Sequence, residues 1–129
     1  MKILVEISVG DLFDKITILN IKLKKIIDSE KLINISKELE VLNEQSQKVN
    51  VSDKKALSDL TVKLQNINEE LWDIENHKRE CEAKKEFGES FIKLSRDVHF
   101  KNDIRAEIKK EINLLSNSNI VEEKEYSKY

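Results

Sequence analysis

The residues best suited to chemistry in this sequence are basic ones set at helical spacing. Asn102, Arg105, Lys109 and Asn113 recur every three or four positions, so on a helix they form one stripe. That stripe lies beside an apolar one made by Ile104, Ile108, Ile112 and Leu115, and so can enter a cleft between helices. Arg96 stands just upstream. Arg79 follows Glu75 by one helical turn, on the face marked by Trp72, and Asp14 and Lys15 are neighbours near the start of the chain. A guanidinium group binds phosphate or carboxylate through two parallel hydrogen bonds. A cluster of Lys15, Trp72, Arg79, Arg96, Asn102, Asp103, Arg105 and Lys109 therefore suits a small anionic ligand. Asp14 or Glu75 could exchange a proton with that ligand while the basic groups stabilise negative charge. No particular reaction follows from the residues. The competing account is simple pairing: Glu75 and Arg79 are i, i+4 partners, and Glu107 and Glu111 flank Arg105 and Lys109.

Metal chemistry has less support. A di-iron bundle needs Glu three residues before His on two helices, and Ile74 and Arg96 occupy those places before His77 and His99. His77 and Cys81 are four apart, but no second thiol or neighbouring His completes a zinc set. Glu69-Glu70-Leu71-Trp72-Asp73 partly matches the Glu-Glu-x-x-Glu element with which helical nucleotide pyrophosphohydrolases hold Mg²⁺. The later Glu-x-x-Asp is missing, because Leu94 and Phe100 stand three before Asp97 and Asp103. A hydrolase of that kind is a second alternative. Cys81 and His99 make a poor nucleophilic pair, since nothing adjacent lowers the thiol pKa. No motif requires a cofactor, and no metal ligand is assigned.

These side chains need helices to position them. Residues 2–7 are mostly apolar and could form a short strand or an extended arm. Ser8 with Asp11 marks a helix start, and a first helix is expected over 9–27. It is apolar on two sides, through Leu12, Ile16, Leu19, Leu23 and Ile26 on one and Ile18 and Ile21 on the other, which predicts a central position. Asp28-Ser29 caps a second helix over 30–48. Ser52 caps a third over 53–85, where Leu57, Leu60, Leu64, Ile67, Leu71 and Ile74 form a heptad, coiled-coil-like seam. Helices two and three are expected to make a long antiparallel hairpin. Gly88 suits the residue just past a helix end. A fourth helix over 89–100 and a fifth over 104–115, capped by Asn102-Asp103, form a C-terminal helical pair or one kinked helix. The start of that fifth helix would aim free N–H groups and its positive dipole end at a bound anion. Residues 117–129 read as a flexible charged tail.

Composition narrows the choice further. A chain of 129 residues makes one domain. With no Pro and two Gly, it lacks the turn residues of a sandwich or barrel and the clustered Gly of a phosphate-binding loop. The expected class is all-α. A net charge of −2 draws the chain to neither nucleic acid nor an anionic membrane. The single Cys81 forms no internal disulfide and fits a reducing compartment. The start of the chain lacks a signal peptide's length and cleavage pattern, so a cytoplasmic protein is expected. A third helix of 33 residues would outreach the globule, which predicts a homodimer covering Leu57, Leu60 and Leu64.

Three stretches carry a resemblance: Ile7 through Lys22, Leu71-Trp72-Asp73-Ile74-Glu75 with Arg79 and Glu82, and Phe91 through Arg96 continuing to Asn102-Asp103-Ile104-Arg105-Ala106. Over nearly its whole length the chain resembles a family of small all-helical bacterial and phage proteins known only as a domain of unknown function. The resemblance brings no activity. It implies that Asp14, Lys15, Trp72, Glu75, Arg79, Arg96, Asn102, Asp103 and Arg105 belong to a family pattern, and polar residues shared across three helices suggest a common site. His99, Ser95 and Lys78 depart from that pattern, where Tyr, Ala and an apolar residue are expected. The function expected is binding of a small anionic, phosphate- or carboxylate-bearing metabolite in an inter-helix cleft, with or without turnover. The alternative is a structural or partner-binding helical protein.

Overall fold

The computed structural model describes residues 1–129 and holds four α-helices: α1 (Val9–Lys25), α2 (Ser29–Ser46), α3 (Lys54–Lys84) and α4 (Glu89–Leu115). Helix takes up 72% of the chain and no strand forms, so the fold is all-α and residues 1–7 are an extended arm.

Three of the helices begin where an oxygen side chain can satisfy a free N–H group. Ser8 Oγ accepts from the Asp11 N–H at 3.0 Å. Asp28 accepts from the Glu30 and Lys31 N–H groups. Asp53, rather than the expected Ser52, accepts from the Ala56 N–H at 2.9 Å. α3 stops at Lys85, which takes the left-handed conformation (φ 58°), with the Glu86 N–H returning to the Cys81 carbonyl at 2.9 Å. Gly88 was expected in that role. It instead precedes α4 with a negative φ. Asn117 (φ 52°) ends α4 in the same way, with the Ser118 N–H bonded to the Asn113 carbonyl.

α1 packs against each of the other helices, as its two apolar sides require. The antiparallel hairpin is made by α3 and α4, not by α2 and α3; α2 packs on α1 alone. The reason lies in who can cover the α3 seam. Leu64 and Ile67 pack against Ile108 and Ile112 of α4, with Val9 and Phe13 of α1 and Leu57 and Leu60 closing the cluster. α2 buries only Ile35 and has too narrow an apolar stripe to compete. Leu64 and Ile112 are fully enclosed, and burial of each is worth about 1.5–3 kcal/mol.

α4 runs unbroken through Asn102-Asp103, so the separate fourth and fifth helices merge. Phe91, Leu94, Val98, Lys101, Arg105, Ile108 and Ile112 continue at alternating spacings of three and four straight across that point. A seam that keeps facing α3 outweighs a pair of residues able to cap. Beyond α4 the charged tail expected to be flexible runs back along the helix: Glu122 meets Lys109 at 3.2 Å, Glu123 meets Lys110 at 2.9 Å, and the Tyr129 hydroxyl donates to Asp103 at 2.5 Å. No helix is long and apolar enough to cross a membrane.

Candidate functional site

Asp14 lies one turn and a half into α1, on the side facing both α3 and α4. Its carboxylate is 6% exposed and accepts three hydrogen bonds from two helices. Oδ1 accepts from Asn68 Nδ2 at 3.0 Å and from Arg105 Nε at 2.9 Å, and Oδ2 accepts from Arg105 Nη2 at 2.5 Å. This is the two-pronged guanidinium–carboxylate geometry. Asn68 Nδ2 also donates to Thr17 Oγ1 at 2.9 Å, whose hydroxyl donates to the Asp14 carbonyl at 2.8 Å.

Lys109 extends the network one turn along α4. Its ammonium lies 2.8 Å from Asp11, 3.2 Å from Glu122 and 3.9 Å from Asp14. Asn113 follows one turn later, accepting from the Gly10 N–H at 2.6 Å. No buried side-chain nitrogen or oxygen lacks a partner.

The electrostatics follow the contacts. Burial by itself would raise the Asp14 pKa. Hydrogen bonds from Arg105 and Asn68, with the charges of Arg105 and Lys109, outweigh it and hold the carboxyl below its usual range. The hydrogen bond to Asp14 raises the Arg105 pKa against the effect of burial. Burial would lower that of Lys109, but Asp11, Asp14 and Glu122 raise it. Asp14 is therefore a charged anchor for α4 at neutral pH. Asp14, named from the sequence as a proton-exchanging candidate, is engaged by Arg105 and Asn68.

Outside this network a groove of about 450 Å³ opens between α1, α3 and α4. Ile18, Leu71 and Trp72 form an apolar side, and Glu75, Arg79, Asn102 and Arg105 a polar one. Arg105 thus reaches both places. Its Nε and Nη2 hold Asp14, and its Nη1 approaches Asn102 Oδ1 at 3.4 Å. Arg79 and Glu75 are exposed and enter no salt bridge, although they are i, i+4 neighbours.

The structure thus gathers Trp72, Glu75, Arg79, Asn102 and Arg105 around one groove and leaves the other predicted residues outside it. Lys15 is exposed on α1 and Arg96 on α4, and neither lines the groove. Lys109 belongs to the buried network. Asp103 faces the tail through Tyr129. No helix begins at Asn102, so no free N–H groups or dipole end point at a ligand there. Asn68, Thr17 and Gly10 escaped the sequence reading. Asn68 gave the clearest signal, a polar residue directly beside Ile67 on the buried side of a heptad seam.

The acidic run on α3 does not converge. Glu69 pairs with Lys24 of α1 at 3.3 Å, Glu70 pairs with Lys101 of α4 at 2.9 Å, and Asp73 is exposed. Nowhere do three His, Cys, Asp or Glu side chains stand together so as to hold a metal ion.

No curated protein and no solved structure matches the chain. The model of a family of unknown function, DUF6165, matches residues 1–129, over the whole span that carries the buried network and the groove, and the chain belongs to that family.

Proposed function

We propose that the chain binds a small anionic ligand in the groove between α1, α3 and α4. The observation that supports this most is Arg79, a cation with no carboxylate partner, lining the same groove as the partly open Arg105 guanidinium and Trp72. The Arg105 charge is matched by Asp14, which leaves Arg79 as the unpaired cation, so the groove suits one anionic group, phosphate or carboxylate, joined to an apolar or planar part that lies on Trp72. Glu75 is the one acidic side chain on the groove and is the candidate proton-exchanging group of any turnover. A cytoplasmic setting suits the lone thiol of Cys81.

Trp72 is the only tryptophan, so its emission reports on the groove directly. Titration with phenyl phosphate should change that emission saturably, and Arg79→Ala should abolish the change without altering the melting temperature of the free protein. Inorganic phosphate should bind more weakly because it leaves Trp72 uncovered. Absence of a saturable change up to about 10 mM, where Kd values correspond to less than about 3 kcal/mol of binding, would remove the reading.

A second reading, a structural or partner-binding helical protein, draws on the closure of the Asp14–Arg105–Lys109 network, in which every buried polar atom is satisfied within the chain. In that case Arg79→Ala changes nothing in the titration.

A further inference from the structure

The arm of residues 1–7 stands apart from the helical body. Its side chains are among the most exposed of the molecule, with Ile3, Leu4 and Val5 at 76%, 85% and 79%. None of its backbone N–H or C=O groups is hydrogen-bonded within the chain. Only its root is held, where Asn119 Nδ2 donates to Glu6 Oε1 at 2.9 Å and Ser8 caps α1. An extended apolar segment with an unpaired backbone is a strand waiting for a second strand.

We propose that two copies of this chain join through these arms as an antiparallel two-stranded ribbon centred on Leu4. The sequence of the arm is complementary to itself in that register. Alternate residues of a strand share a face, so Ile3, Val5 and Ile7 lie on one side and Lys2, Leu4 and Glu6 on the other. Pairing Leu4 with Leu4 of the second copy sets Lys2 of each chain opposite Glu6 of the other, and Ile3 opposite Val5. A slip of one residue mixes the two faces, and a slip of two sets Lys2 or Glu6 against Leu4. One register alone therefore joins both charge pairs and keeps the β-branched face whole. Glu6 needs no rearrangement, because Oε2 is free while Oε1 holds Asn119.

Surface area leaves room for association. The chain exposes 9525 Å², whereas a compact monomer of its mass exposes about 7,100 Å². The excess is larger than the roughly 800 Å² that each partner contributes to a standard interface. A two-stranded ribbon alone is marginal in water. Ile120 and Val121, each 37% exposed and next to the residue that holds Glu6, add apolar surface at the root of the arm. The surfaces earlier expected to demand a dimer do not: Leu64 is buried, and Leu57 and Leu60 pack within the chain.

The test uses the full chain without an N-terminal tag, with mass followed by sedimentation equilibrium. The unaltered protein should be a dimer at micromolar concentration. Lys2→Glu and Glu6→Lys should each weaken dimerisation about tenfold or more, because two cross-strand pairs turn from attraction to repulsion. An equimolar mixture of the two variants should restore dimers, seen as heterodimers by native mass spectrometry, and so should the double variant. Asn119→Ala, which removes only the contact within one chain, should leave the mass unchanged. Helicity by circular dichroism should stay constant throughout. A monomeric parent protein overturns the proposal, as does a dimer indifferent to either charge reversal or a mixture that stays monomeric.

Discussion

At the scale of single residues, Asp14 ties the molecule together. Its carboxylate binds one residue of α3 and two of α4, and its low pKa makes that tie dependent on pH. In the unfolded chain the carboxyl takes a proton near its ordinary value of 3.8; in the folded chain it does so only at lower pH. The unfolded state therefore binds more protons over that window. The stabilisation from Asp14 is complete above about pH 5 and is lost as the pH falls through the folded value below 3.8. Asp14→Asn should remove this acid-dependent component, so that urea denaturation of the variant changes less than that of the parent between about pH 5 and 3. At neutral pH, Asp14→Ala should destabilise the protein by about 3 kcal/mol, the lower end for a broken buried pair, because Arg105 keeps some access to water. Parallel loss of stability in parent and Asp14→Asn would place the acid sensitivity elsewhere. Asp14 and Arg105 were visible in the sequence as candidates, but their bond was not: 91 residues separate them, and nothing local says which cation a carboxylate will meet.

At the scale of elements, α1 and α4 come into tight contact at Gly10. Gly10 has no unusual φ; its value is its lack of a side chain. A Cβ at that position would stand 2.5 Å from the Lys109 carbonyl oxygen and 2.9 Å from Asn113 Oδ1. Ala is ordinarily the better helix residue by about 0.5–1 kcal/mol. Here Gly10→Ala should destabilise the protein instead, by about 1–3 kcal/mol, since α4 backbone has to move. Thermal or urea unfolding would show it; a variant equal to or more stable than the parent would mean that the two helices separate without penalty. The helix periods, the Ser8 and Asp28 caps and the heptad seam of α3 were legible in the sequence because each depends on neighbours within a turn or two. The sequence left open whether α4 is one helix or two, because Asn102-Asp103 looks like a cap locally, and only the unbroken seam against α3 overrides it.

At the scale of the whole molecule, stability is unevenly shared. α1, α3 and α4 contact one another in every combination, whereas α2 touches α1 alone and buries a single side chain. Local opening follows the amount of buried contact. Amide hydrogen exchange should thus be fastest, among the helices, in α2, with α1 and the central turns of α3 and α4 exchanging only on global unfolding. Equal protection of α2 and α3 would contradict the packing described here. The same imbalance explains the large accessible surface, since α2, the arm and the tail cover little of the core.

The sequence by itself determined the all-α class, all four helix starts to within a residue, the central place of α1 and the candidate polar residues. These follow from short-range rules: period, capping and the want of Pro and Gly. Tertiary structure decided which helix fills the α3 seam, whether α4 bends, and how the basic residues divide. Arg105 went to the buried Asp14 and Lys109 to Asp11 and Glu122, Arg79 stayed free on a groove with Trp72, and Lys15 and Arg96 were left in water. Those outcomes depend on which surfaces meet across dozens of residues, where packing of apolar seams sets the geometry and charges pair with whatever that packing brings within reach.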